Sequence, residues 1–146
     1  MADTHDHSQS GASGRMMQCS VVTPEATVLE SPARFVAVPL YDGELGIAPA
    51  HSPFIGRLGY GELRVTVNGT TERFYVDGGF VQVADDRISV LTERAVPAEK
   101  LSSSAATAQL ESARALPAHS PETMALRDRA ELQARAQLRI AQRIGK

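Results

Sequence analysis

Gly61-Glu62-Leu63-Arg64-Val65-Thr66-Val67-Asn68-Gly69-Thr70-Thr71-Glu72-Arg73-Phe74-Tyr75-Val76 is the stretch on which the fold turns. Leu63, Val65 and Val67 alternate with Arg64 and Thr66, which sends every second side chain to one face of an extended strand. Asn68-Gly69 then supplies the two positive φ angles that a tight hairpin needs, so Thr71–Val76 is expected to return antiparallel to the first strand. A second hairpin is expected from Gly79–Ala84 to Arg87–Leu91, with Asp85-Asp86 as its turn and Phe80, Val81, Val83, Ile88 and Val90 available for burial. Further extended runs stand at Gln18–Val22, Ala26–Leu29, Arg34–Val38 and Phe54–Leu58. No helical period interrupts residues 18–93. Short strands at this spacing, punctuated by Gly, Pro, Asn and Asp, predict a β-sandwich or flattened barrel.

The texture changes near residue 95. Beyond Pro97 the chain is rich in Ala, Leu, Glu, Gln and Arg, the best helix formers. Ser102 or Ser103 can cap a first helix whose apolar set, Ala106, Leu110, Ala113 and Leu116, recurs every three or four residues and stops at Pro117. Ser120 is a good N-cap for a second, with Pro121 at the first helical position, Glu122 complementing the positive helix end and Gly145 as the stop. The short connection Pro117–Ser120 favours an antiparallel hairpin. Its many alanines bury little area per turn, so the hairpin is held weakly and is able to detach. The fold class is therefore mainly β plus α: a tail over residues 1–16, a β-sandwich over 17–95 and a helical hairpin over 96–146.

Composition narrows the function. The chain has 146 residues, 42% hydrophobic and 22% charged, with a formal net charge of −2. That balance offers no broad basic field for nucleic acid, although residues 122–146 carry six basic and three acidic side chains. Cys19 is the single cysteine, which excludes an internal disulfide and a cysteine-built metal site and fits a reducing compartment. No apolar run approaches the roughly 20 residues that span a bilayer, and residues 1–15 lack the layout of a signal peptide. The segment Met1–Arg15 is polar, rich in Ser, Gly, His and Asp, and is expected to be disordered, with Met16 or Met17 as alternative starts. Asp3, His5, Asp6 and His7 are too common a pattern in such tails to be assigned a metal.

Two segments resemble sites. Asp42–Pro53 is dense in turn residues and places Glu44 and His51 near loops, where a rigid β scaffold meets its partners. His51 beside Ser52 lacks the third, orienting group of a nucleophilic triad, so no catalytic residue is assigned. Asp77-Gly78-Gly79-Phe80 lacks both the spacing and the Lys-Ser/Thr of a phosphate loop; its glycines read as a tight bend or close backbone approach, with Phe80 in the core.

Taken in order, Val22-Thr23-Pro24-Glu25, Gly43-Glu44-Leu45-Gly46-Ile47 with Pro49 and His51, Gly61-Glu62-Leu63-Arg64-Val65, Gly78-Gly79-Phe80-Val81 with Val83, and Ile88-Ser89-Val90-Leu91 resemble the ATP synthase epsilon subunit family. The resemblance covers about residues 17–116 closely and 117–146 in architecture. It implies a non-catalytic rotor subunit on the cytoplasmic side of the bacterial inner membrane, coupling proton transport to ATP synthesis or hydrolysis and attached to the membrane only through its partners. It also implies a sandwich packed on the gamma subunit and the c-ring, with Tyr41, Asp42, Gly43 and Glu44 facing the ring and His51 near gamma. The two helices would reach transiently into the alpha/beta catalytic head and inhibit hydrolysis, with Arg127, Arg135, Arg139 and Arg143 as a basic stripe on the regulatory helix. No cofactor follows: where some members hold ATP with an acid and an arginine, Leu101-Ser102-Ser103-Ser104-Ala105-Ala106 has neither. Ala48 and Ala50 depart from the family, which often has a larger residue and glycine there. The alternative is an adaptor of the same architecture, unrelated to ATP synthase.

Overall fold

In a computed structural model, residues 14–144 are described. The tail proper, with its histidines and Met1–Ser13, and the stop at Gly145 lie outside them. The first strands are β1 (Met17–Val22), β2 (Thr27–Ala33), β3 (Phe35–Leu40) and β4 (Gly43–Ile47). Then come two long ones, β5 (Phe54–Val67) and β6 (Thr70–Ala84), followed by β7 (Arg87–Leu91) and β8 (Ala95–Pro97). A single 3-10 turn over Ala98–Lys100 leads to helices α1 (Ser103–Arg114) and α2 (Pro121–Arg143).

The strands form one sheet in the order β2-β1-β7-β6-β5-β3-β4, with β8 paired on β6. All neighbours are antiparallel except β1 and β7. This sheet folds over on itself. Met17, Cys19 and Val21 near one end and Val36, Val38 and Ile47 near the other bury their side chains in one cluster with Leu63, Val65, Phe74, Val76, Val81, Val83, Ile88 and Val90. Alternation decides which side chains enter it, because successive residues of a strand face opposite ways. β5 and β6 are the spine of both layers: they pair from Phe54 opposite Val83 to Val67 opposite Thr70, and the ladder breaks once, where Gly59 faces Gly78. Cys19 lies wholly inside, and burial pushes its thiol up to about 12, so it is an inert core residue.

Four readings change in the folded chain. The predicted loop around Glu44 is largely strand: Tyr41-Asp42 makes the turn, and Glu44 sits in β4 opposite Pro39. One of the glycines that suggested a loop instead makes room, the Phe35 ring lying over Gly46. Phe80, expected in the core, is 57% exposed, because the alternation that buries Val81 and Val83 turns it outward. Leu116, the last of the apolar set on the first helix, is also exposed. Finally, Arg15 is not loose tail, since its guanidinium meets the Asp86 carboxylate at 3.0 Å.

Asp86 also accepts the Ala50 amide at 2.7 Å, and these two partners hold its carboxyl below the ordinary range. A depressed carboxyl stabilises the fold above its unfolded titration range, and that contribution is lost as pH falls through the lowered value. The bond from Ala50 comes at a conformational cost, for Ala50 sits at φ +68°. That angle is one that glycine adopts without a steric penalty. Ala50→Gly removes left-handed strain of about 1 kcal/mol, less the extra freedom of glycine in the unfolded chain, so a net gain of about 0.5 kcal/mol in urea unfolding is expected.

Both helices start as their sequences predict. Ser102 Oγ accepts the Ala105 amide at 3.2 Å, and Ser120 forms a reciprocal capping box with Thr123. Ala106, Leu110 and Ala113 of α1 are buried, and α2 buries Ala134, Ala136, Gln137, Ile140 and Ala141.

Candidate functional site

The outer face of the β8-β6-β5-β3-β4 half of the sheet is where strands and helices meet. Leu63, Val65, Phe74 and Val76 point to the core, so their neighbours in sequence point to this face: Glu62 stands opposite Tyr75, and Arg64 opposite Arg73. Tyr75, Ala98, Ala136 and Ile140 form a second apolar cluster here, with Tyr60, Val96, Leu101 and Ile144 around it. Burial also raises the Tyr75 hydroxyl well above its ordinary value, with the Asp77 carboxylate adding to the effect. Among the described residues that hydroxyl has no hydrogen-bond partner. Gln133 of α2 donates to Asp77 Oδ1 at 2.9 Å, a polar clasp near the middle of the helix.

Toward the end of α2 the clasp is ionic. The Glu62 side chain is 3% exposed, and its Oε1 accepts from Arg143 at 3.0 Å, Arg64 at 3.2 Å and Arg73 at 3.4 Å. A buried carboxylate is tolerable only when paired this fully. Arg64 in turn forks onto Glu44, Nη1 to Oε2 at 3.1 Å and Nη2 to Oε1 at 3.0 Å. Its hydrogen bonds to Glu44 raise the Arg64 guanidinium further above its already high value. Arg139 and Arg143 line a cleft of about 170 Å³ with Glu44, Tyr60 and Glu62.

The residues singled out in the sequence therefore divide into three places. Tyr41, Asp42, Gly43 and Glu44 share the β3–β4 turn, where the exposed Tyr41 ring carries the Arg57 guanidinium 4.7 Å above it. His51 lies apart, in the β4–β5 connection, its Nδ1 donating to the Ser52 carbonyl at 2.7 Å and its ring edge-on to Phe54. Among the helix arginines, Arg127 and Arg135 pair with Glu131 along α2, while Arg139 and Arg143 reach the cleft that holds Glu44. The sequence offered no sign that the turn and the helix converge.

An apolar surface was also missed. Phe80 stands opposite both Arg57 and Leu91, and Ile55 lies two residues along from Arg57 on the same face. Ile55, Phe80 and Leu91 are each at least half exposed. Three such side chains side by side mark a contact surface more than a solvated one. The signal was present in the alternation itself, since Val81 and Val83 cannot be buried without turning Phe80 out. Among the described residues no group of three potential ligands could hold a metal, and no helix is long and apolar enough to cross a membrane.

A family model for the ATP synthase delta/epsilon chain beta-sandwich domain matches residues 16–98. The ATP synthase epsilon chain of Rhodopirellula baltica is 48% identical over 125 residues, spanning 86% of this chain and 98% of that one. That of Desulfitobacterium hafniense strain Y51 is 44% identical over 81 residues, 56% of this chain and 61% of its own. Among solved structures, a chain of the Euglena gracilis mitochondrial ATP synthase, in its OSCP/F1/c-ring assembly, superposes with a TM-score of 0.74 at 23% identity, covering 88% of this chain and 81% of that chain. A chain of the Tetrahymena thermophila mitochondrial ATP synthase central stalk/c-ring superposes at 0.68 and 15% identity, covering 87% and 97%. At such identities the shared property is the fold.

Proposed function

The chain belongs to the ATP synthase epsilon chain family, and from that premise we propose that it is a non-catalytic central-stalk subunit that couples proton transport to ATP synthesis and hydrolysis. The observation that carries this reading is the 48% identity to the Rhodopirellula baltica epsilon chain along nearly the whole of that protein. Its partners are the gamma subunit and the c-ring, with the alpha/beta head reached transiently by the helices. It sits at the cytoplasmic side of the inner membrane, held there through those partners. The Tyr41–Glu44 turn faces the ring, and His51 lies toward gamma. The outward face bearing Ile55, Phe80 and Leu91 supplies the apolar contact area that a stable docking needs, while Tyr41 and Glu44 supply polar contacts at its edge. The subunit is not expected to bind ATP tightly, because Ser102 and Ala105 stand where an acid and an arginine would be required.

The test is proximity in the assembled enzyme. A cysteine replacing Glu44, in a Cys19→Ser background, is expected to crosslink to the c subunit with a short bifunctional reagent. Crosslinks confined to alpha or beta would reverse the proposed orientation.

A further inference from the structure

Glu44 and Arg143 are 99 positions apart in sequence and are joined by only two side chains, Arg64 and Glu62. We infer that Arg64 is a relay: the occupancy of Glu44 at the sheet edge sets how firmly α2 is held on the sandwich. This deepens the proposed function, on which it rests for the identity of what meets Glu44.

Arg64 Nη1 divides between Glu44 Oε2 at 3.1 Å and Glu62 Oε1 at 3.2 Å. Glu62 Oε1 is in turn the atom on which Arg64, Arg73 and Arg143 all converge. One oxygen cannot serve three guanidinium groups equally, so whatever Arg64 gives up at Glu44 it directs toward Glu62, in competition with Arg143. Charge acts in the same direction. With Glu44 paired inside the network, two carboxylates face Arg64, Arg73, Arg139 and Arg143; when Glu44 is neutralised or taken by another cation, one carboxylate remains among the four. Arg139 and Arg143 are the two of these that can leave, because they are carried by α2.

The network is also built to survive that departure. When α2 lifts away, Glu62 keeps Arg64 and Arg73, both on the sheet, so its charge is never stranded without a partner, and the large penalty for breaking a buried pair does not arise. Undocking is thereby reversible. A cationic group of the ring-side partner that pairs with Glu44 would loosen α2, linking attachment at one edge to release at the outer face; by reciprocity, a docked α2 would weaken that pairing.

The experiment measures amide hydrogen exchange of residues 134–141 in the full-length chain. Glu44→Gln is expected to speed exchange about two- to fivefold, the range that partly exposed ion pairs control. Arg143→Gln should do the same. The effect of the pair should be smaller than the product of the two, since both act on one network. In an Arg64→Met background, Glu44→Gln should have no effect, while exchange in β1 and β7 stays at the wild-type rate in every variant. If Glu44→Gln changes nothing, or acts equally without Arg64, the relay is overturned. A separate arm adds the purified c-ring and gamma assembly to the wild-type chain. Faster exchange in 134–141 on binding supports the linkage. A cycle that holds in the isolated chain with no change on binding overturns the assignment of the ring to Glu44 and leaves the relay standing.

Discussion

ATP synthase assembled with this chain lacking residues 120–146 is expected to hydrolyse ATP about three- to tenfold faster than the complete enzyme, a change worth about 0.7–1.4 kcal/mol. The expectation follows from the proposed role of α2 as a brake. Its 23 residues make a rod of roughly 35 Å, enough to reach from the base of a rotor into a catalytic head. The proposal pairs its arginines with acidic side chains of that head. The docked structure adds a constraint: Arg143 and Arg139 face Glu62 and Glu44, so the same cations serve either the sandwich or the head and never both. Replacing Arg135, Arg139 and Arg143 with Ala therefore weakens both states, and should raise hydrolysis less than the deletion does. Because these contacts are partly exposed, the wild-type brake should weaken with rising salt. Steady-state hydrolysis across low and moderate salt measures all three effects; equal rates for wild type and deletion would leave α2 a purely structural support.

Gly79→Ala should have the larger consequence for the fold. Gly79 has φ +105°, and a Cβ there would overlap the Leu91 carbonyl oxygen and lie 2.9 Å from Thr92 Cα. Left-handed strain and the forced displacement of β7 together amount to about 3–5 kcal/mol, a large share of the 5–15 kcal/mol that holds a typical domain. Urea denaturation of the isolated chain should show the midpoint fall accordingly, or no cooperative transition at all. Gly69→Ala is the control: its φ of +83° carries similar backbone strain, but nothing lies within 4 Å of the added carbon, so it should lose only about 1–2 kcal/mol.

What the sequence revealed follows from how far apart the cooperating residues lie. Asn68-Gly69 and the Ser120-Pro121 start are complete within a few residues, and both were read correctly from local chemistry. β4 was missed because two glycines in five residues suggest a turn, and only the ring of Phe35 above Gly46 explains one of them. β8 is three residues long and exists because β6 offers it an edge. Glu62 was the deepest omission. In sequence it is the polar member of an alternating strand, indistinguishable from a solvated residue. Its meaning comes from Arg73, eleven positions on, and Arg143, eighty-one positions on. The arginine stripe was visible as a period of four, but its division into two residues tied to Glu131 and two facing the cleft depends on the angle at which α2 crosses the sheet.

The long pairing of β5 with β6, interrupted only where Gly59 faces Gly78, has a mechanical consequence. These two strands run through both layers, so the edge near Tyr41 and the face beneath α2 are parts of one hydrogen-bonded ribbon, not separate bodies joined by a hinge. A load applied along that ribbon pulls many bonds in shear at once, whereas one applied across its end would open them in sequence. A component that must turn with a shaft and return little of the torque as bending is best made this way, with its compliance confined to the helices clasped on the outside.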